Sequence, residues 1–405
     1  MASKGSDSLI DAANEYFDAL VKSRFNELIQ VDAYTYQLGQ LIEPYSTERC
    51  DTGNYPILSI TKDEGIVFQN EKFKKRIASL DVTGYKIVPH GKLVQGIHID
   101  ERNFAVQDIT DIGIVSPAYK VYTINADIVE PKIIEYYLRS DPAHSYICSK
   151  FRGSIKRRES ITQDDLLKMP VTVPSKTIQS NIVCFMNQVD KSKLIFQQMV
   201  SRYDELVKSR FIEMFDQYFD SNEIILAELC ISIDSGKSFN CGDSRSGDEP
   251  AILKLGALLD GVYNSDENKM MDPSLFRKEL EVKAGDVLFS RKNTYELVGT
   301  AAYVWDTPPN LMLPDLIFRI NLKNTINPIY FVNLINHPQF RKRITSLAHG
   351  AAASMPNISK KELLNLRIPL PPIELQNQFA DFVKQVDKSK SEILDGLKKL
   401  RIRSS

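Results

Sequence analysis

The hexapeptide LVKSRF is written twice, at residues 20–25 and 206–211, an offset of 186. A second identity, VDKSK, occurs at 189–193 and 386–390, an offset of 197. At that offset Pro174 pairs with Pro371, Gln179 with Gln376, Phe185 with Phe382 and Gln188 with Gln385. Farther back, GSIKRRESITQDDLLKMPVTVP lies on GAAASMPNISKKELLNLRIPLP, with Gly153 over Gly350, Ile161 over Ile358 and Leu166-Leu167 over Leu363-Leu364. After small shifts in offset, YKIVPHGKLVQ around Gly91 matches LEVKAGDVLFS around Gly285. The chain is therefore one unit of about 190 residues written twice. Solenoid repeats are far shorter, so this period means two copies of a domain.

The repeat ends in helices. Residues 175–222 contain neither Pro nor Gly, the signature of an uninterrupted helix. Ile182, Phe185, Val189, Phe196, Met199, Tyr203 and Leu206 follow alternating three- and four-residue steps, with polar Ser192 in one slot. That spacing predicts a heptad seam. At 1.5 Å per residue, some 40 helical residues span roughly 60 Å. So long and narrow an apolar stripe needs a partner helix. The second copy supplies one: PPIELQNQFADFVKQVDKSKSEILDGLKKL opens on prolines suited to a helix start and carries Phe379, Phe382, Val386 and Ile393 in the same register.

The duplication is cyclically shifted. The C-terminal helix stops near Arg403, which corresponds to about Leu206 of the central helix. The remainder stands at the N-terminus, where Ile10, Ala13, Phe17 and Leu20 correspond to Phe196, Met199, Tyr203 and Leu206. The N- and C-terminal helices are therefore expected side by side, jointly copying the central helix. The plainer alternative is an N-terminal helix that packs only on its own domain.

Between the helices, short β-like runs such as YPILSI, YKIVPH, GDVLFS and LIFRINL alternate with helical patches such as PKIIEYYLRS and PIYFVNLINHP. The expected division is an N-terminal helix at 1–30, a mixed α/β domain at 31–148, a central helical region at 149–220, a second mixed domain at 221–345 and a C-terminal helical region at 346–405. The loops of the two domains differ strongly while the scaffold repeats. Alike frames with unlike loops suggest two readers of different targets.

Composition excludes several classes. The chain is 43% hydrophobic and 25% charged, as in ordinary globular proteins, and no apolar run approaches the length of a membrane span. No apolar signal-peptide core stands at the N-terminus, so a cytoplasmic location is expected. Five scattered cysteines without a CxxC pair suit a reducing compartment, and neither they nor the five histidines suggest a metal site. Gly236-Lys237-Ser238 falls short of a phosphate loop, because Ile231 stands where that loop needs its first glycine. Asp315 and Lys323 lack the further carboxylate of a nuclease site, and no Asn-Pro-Pro-aromatic loop of an amino-methyltransferase is present. No catalytic residues are expected.

A net charge of −1 does not decide about nucleic acid; local clustering does. Lys150, Arg152, Lys156, Arg157 and Arg158 crowd the junction of the first domain with the central helix. Ser290, Arg291, Lys292, Asn293 and Tyr295 follow a β-like run, and Arg341, Lys342 and Arg343 form a third group. Such side chains neutralise phosphates, and Arg and Asn can pair with base edges in the major groove. Solvated surface loops have the same composition. The partner of the first cluster in the second copy, LAHGAAASM, is not basic.

With LVKSRFIEMF, AGDVLFSRKNT, LPDLIFRI, MPNISKKELLNLRIPLPPIELQNQF and the cyclic duplication, the chain resembles the specificity subunit of type I restriction–modification enzymes over essentially its whole length. The resemblance implies an α+β protein with two mixed α/β target-recognition domains separated by long antiparallel coiled-coil helices, related by a cyclic pseudo-twofold duplication. Each domain would read one half of a bipartite target on double-stranded DNA. The coiled coil would set the spacer and dock two methyltransferase subunits, with restriction and translocase subunits joining through the complex. The chain itself would hold no cofactor; S-adenosylmethionine, ATP and Mg would belong to the partner subunits. The family's FSRxGTxG loop reads SRKNTYELVG here, without its first glycine, so a different backbone path is expected. A coiled-coil interaction scaffold without a DNA role is the competing class.

Overall fold

A computed structural model describes residues 6–51, 55–61, 65–72, 82–97, 99–151, 161–219, 223–239, 242, 245, 247–349 and 355–402. Arg152, Lys156, Arg157 and Arg158 of the first basic cluster lie outside the described residues. The chain divides into two compact units, Phe17–Ser192 and Met1–Tyr16 with Lys193–Ser405. The division falls inside the N-terminal helix (Ser6–Leu28) and inside the central helix (Lys176–Phe215). Residues 6–16 thus group with the half of the chain that ends in the C-terminal helix (Ile373–Ile402). Among the described residues no helix is long and apolar enough to cross a membrane.

The duplication is structural. In the Phe17–Ser192 unit an antiparallel sheet runs in the order Ile42–Pro44, Lys120–Ile124, Leu93–Gln95, Phe104–Val106. In the other unit the order is Cys230–Ser235, Ile317–Leu322, Val287–Ser290, Ala301–Tyr303, again antiparallel throughout. Each unit also pairs the strand after its helix with the strand that precedes its next helix: Ala33–Gln37 with Pro170–Pro174, and Glu223–Ile225 with Arg367–Pro369. Even single bonds repeat, since Leu38 N–H donates to the Met169 carbonyl and Leu226 N–H to the Leu366 carbonyl, both at 2.8 Å.

LVKSRF has the same use in both copies. Phe25 and Phe211 are buried, 3% and 1% exposed, in the cores of their units. Phe25 lies 4.5 Å from the Tyr136 ring, and Phe211 lies 5.2 Å from Phe379 and 5.8 Å from Tyr330. Truncating such a ring in a packed core costs about 3–5 kcal/mol. The arginine of each copy pairs one turn on with a glutamate, Arg24 with Glu27 and Arg210 with Glu213, at 2.7 and 2.8 Å. Exposed pairs of that kind add only a few tenths of a kcal/mol, so the phenylalanine is the anchor.

Each helix seam differs from the expected one by one residue at alternate positions. Ile182, Val189 and Phe196 are buried, but the other slots belong to Met186 and Val200, with Val207 packed against the core. Phe185 is half-buried, Met199 and Leu206 are 36% and 47% exposed, and Tyr203 is half-buried. In the C-terminal helix Phe379 and Val386 are buried, Val383 replaces Phe382, and Ile393 is half-buried. Phe17 is buried and Leu20 half-buried. Apolar residues stand next to each other at 185–186, 199–200 and 206–207, so periodicity is satisfied by either neighbour and only the packing partner chooses. The slot read as Ser192 is thus Lys193, whose counterpart Lys390 is 7% exposed and ion-paired with Asp204. Together with Phe211 against Phe379 and Arg210 over the Phe382 ring, this pair aligns the two helices antiparallel.

A buried glutamine fastens each unit to its helix. Gln376, 0% exposed, accepts from the Asn327 N–H at 2.8 Å and donates to the Pro371 carbonyl at 2.7 Å. Its counterpart Gln179, 1% exposed, accepts from the Glu130 N–H and donates to the Pro174 carbonyl, each at 2.8 Å. Asn327 and Glu130 are the N-cap residues of the helices Pro328–Asn336 and Pro131–Leu138. Gln376→Met, which keeps the volume and removes both bonds, is expected to lower stability by about 1–3 kcal/mol for the unpaired backbone groups. An unshifted denaturation midpoint in urea would show that these groups have another partner.

Candidate nucleic-acid interface

In the unit containing Lys193–Ser405, the pairs Ser290↔Ile317, Ser235↔Phe318 and Phe289↔Ala301 bring three loops to one end of the sheet. These loops follow Ser235, precede Ile317 and link Ser290 to Ala301. The last carries the second basic cluster. Ser290 is fully buried and closes the loop's neck: its N–H donates to the Thr300 carbonyl at 2.9 Å, and its carbonyl accepts from the Gly299 N–H at 2.7 Å. Gly299 has φ +77°, and a Cβ there would stand 2.1 Å from Ile344 Cγ2, so no other residue fits.

The segment Met355-Pro356-Asn357-Ile358 holds this loop. The Ile358 N–H donates to the Arg291 carbonyl at 2.8 Å, the Asn293 N–H to the Pro356 carbonyl at 3.3 Å, and Arg291 Nε to Asn357 Oδ1 at 3.1 Å. Lys292 bridges to Asn357, which exchanges two backbone bonds with His349. The Arg291 guanidinium lies 5.0 Å over the Phe318 ring, and the Lys360 ammonium 5.7 Å from the same ring. His349 pairs with Glu362 at 2.6 Å. Bonds from the Ser359 backbone and hydroxyl, with His349 adding to them, hold the Glu362 carboxyl below the usual range. Asn293 is 8% exposed, lies outside the positive-φ region and accepts the Thr294 N–H at 2.9 Å. The loop therefore does not need a glycine there. Tyr295 is 49% exposed at the tip.

The third cluster separates. Arg341 donates to the carbonyls of Glu296 and Val298 at 3.0 and 2.8 Å, and its other terminal nitrogen is buried without a partner. Burial disfavours its charge. It supports the loop from behind. Arg343 pairs with Glu223 and faces the Phe219 carbonyl, whereas Lys342 is exposed. At the same sheet end Lys237 is exposed. Ser238 is bonded to Asp315, and Gly236 packs so closely on Leu313 that a Cβ would lie 1.8 Å from its carbonyl oxygen.

In the other unit, Lys150 is exposed at the end of the helix Asp141–Ser149, with its ammonium 5.7 Å from the Tyr146 ring. Asn357 and Lys360 were not singled out from sequence. The signal available was MPNIS, a hallmark with no visible role until the loop is seen resting on it. Two kinds of cation are thus distinguished. Arg341→Met is expected to lower the thermal midpoint clearly, having lost two carbonyl bonds in a recessed site. Lys292→Met should leave it within about 0.5 kcal/mol, and equal midpoints would contradict this division.

Residues 258–400 match the family described as the type I restriction modification DNA specificity domain. The chain is 31% identical over 176 residues to the type I restriction enzyme EcoEI specificity subunit of Escherichia coli, covering 42% of this chain and 30% of that protein. It is 35% identical over 106 residues to the putative type I restriction enzyme MjaX specificity subunit of Methanocaldococcus jannaschii, covering 25% of this chain and 24% of that one. The chain thus spans less than a third of the length of these curated relatives. A solved structure described as the structural basis underlying complex assembly and conformational transition of the type I R-M system shares the fold. It does so at 17% identity and a TM-score of 0.51, over 91% of this chain and 95% of that one. Residues 258–400 are thus similar to the type I restriction modification DNA specificity domain, and the fold shared with the solved structure runs through 91% of the chain.

Proposed function

We propose that this chain is the DNA sequence-specificity subunit of a type I restriction–modification complex, each unit reading one half of a bipartite target. The observation that carries this reading is the repeated sheet with unlike loops at one end, the second copy of which has three of its four strands within the residues that match the specificity domain. A rigid frame presented twice with different side chains reads two different sequences. In the second copy Arg291 and Lys292 are the candidates for phosphate or base contact, with Tyr295 at the tip. Lys342, Lys150 and the neighbouring basic residues to Arg158 are further phosphate contacts.

The chain itself performs no chemistry. Methyl transfer from S-adenosylmethionine and ATP- and Mg-dependent cleavage belong to other subunits of a cytoplasmic complex. Two methyltransferase subunits dock on the helices. Leu194, Ile195, Met199, Leu206 and Ile212 of the central helix stay exposed, between 36% and 54%, and offer apolar contact for them. Half-sites one helical turn apart are separated by about 34–36 Å, a distance within reach of helices some 60 Å long.

If the helices set the spacer, removing one heptad from the central and C-terminal helices in step shortens it by about 10 Å, about three base pairs. Sequencing methylated adenines in cells carrying the altered system reads this directly. Intact half-sites with a shorter gap are expected; an unchanged gap would refute the spacer role.

A further inference from the structure

The unit Phe17–Ser192 carries a cationic cluster that no motif announces. Arg49 and Lys86 face each other across an antiparallel bridge, which puts both side chains on one side. The bridge is flanked by the bonds Ile87 N–H to Glu48 carbonyl at 3.0 Å and Cys50 N–H to Tyr85 carbonyl at 2.8 Å. The Lys86 ammonium reaches the Tyr119 carbonyl, immediately before Lys120. Arg49 donates to the Gly84 carbonyl at 2.7 Å. Arg49 is exposed, and Lys86 and Lys120 are half-buried.

Three features set this cluster apart. Its bonds go to neutral carbonyls, and among the described residues none of the three cations is ion-paired, whereas several partly buried arginines are. Arg102 pairs with Asp141, Arg139 with Glu135, Arg319 with Asp234 and Asp286, and Arg343 with Glu223. Each side chain also keeps unused donors, since an ammonium has three and a guanidinium five. Burial, followed by the Arg49 and Lys120 charges, holds the Lys86 ammonium below the usual lysine range. An anion placed among the three would relieve that cost.

Position indicates which anion. Lys120 opens its strand opposite Gln95, where Leu93–Gln95 ends. This is the sheet end that corresponds to the Ser290↔Ile317 end of the other unit, where Arg291 and Lys292 stand. The geometry points to Arg49, Lys86 and Lys120 as a site for the backbone phosphates of DNA, which positions the duplex on this unit without reading bases. The inference rests on the DNA-recognition reading proposed above.

Fluorescence anisotropy of the chain assembled with its methyltransferase partner, on target and scrambled duplexes across a salt series, tests it. Neutralising a phosphate contact lowers the slope of log K against log salt by about 0.9. Lys120→Gln alone is expected to do this, and Arg49→Gln/Lys86→Gln/Lys120→Gln to lower the slope by about 2–3, by similar factors on both duplexes. The methylated sequence should not change. Among the described residues the Lys120 side chain makes no hydrogen bond, so Lys120→Gln keeps the test valid if the triple variant melts early by circular dichroism. Wild-type slopes in the variants, or losses confined to the target duplex, would overturn the phosphate site alone. A wild-type complex that fails to prefer its target would overturn the DNA reading and this site with it.

Discussion

A helix of 40 residues holds together in water only if something covers its apolar stripe, because propensity alone leaves isolated helices marginal. Covering that stripe organises each unit. In the Phe17–Ser192 unit, Ile182 and Met186 share a core with Phe25 and Ile29 of the N-terminal helix. In the other unit, Phe211 and Phe215 share one with Phe379 and Val383 of the C-terminal helix. The glutamine–N-cap bonds then fix the domain to the covered helix, and the sheet inherits its position from that attachment. One buried charge in the seam, Lys390 with Asp204, does little for stability by itself, given what its desolvation costs. Its value is in register, since sliding the helices by one turn would leave the ammonium without a carboxylate.

The same frame carries different surfaces because the frame and the loops answer to different forces. Strand order, strand partners and helix anchors repeat, being set by burial and backbone bonding. At the sheet ends, side chains are free of that constraint. There the cations divide by what neutralises them. Arg319 is locked by Asp234, Asp286 and the carbonyls of Glu279 and Glu281, and Arg341 by two loop carbonyls, so both are internal braces. Arg291 is held by Asn357 and an aromatic ring, contacts that orient it without cancelling its charge.

Much of this was legible in the chain. Identities at two offsets disclosed the duplication, and the pairing of Gln179 with Gln376 marked two residues that prove to make the same bonds. The seam was half legible: the positions of Ile182, Val189 and Phe196 followed from period, while 185 or 186, 199 or 200 and 206 or 207 did not, because both members of each pair are apolar. The basic clusters were visible as composition, but Arg341, Lys342 and Arg343 are consecutive and meet three different environments. Arg49, Lys86 and Lys120 were invisible, lying on three strands or loops far apart in sequence.

By itself, the sequence determined that a domain is written twice, that long helices end each copy, and that the loops between them diverge. These are properties of order and period, and a one-dimensional string carries them fully. The tertiary structure decided which neighbour of each apolar pair faces the seam, which arginines brace a loop and which keep their charge, and which distant cations share a sheet end. Those outcomes depend on what lies across a contact of a few ångströms, and only the folded chain supplies that partner.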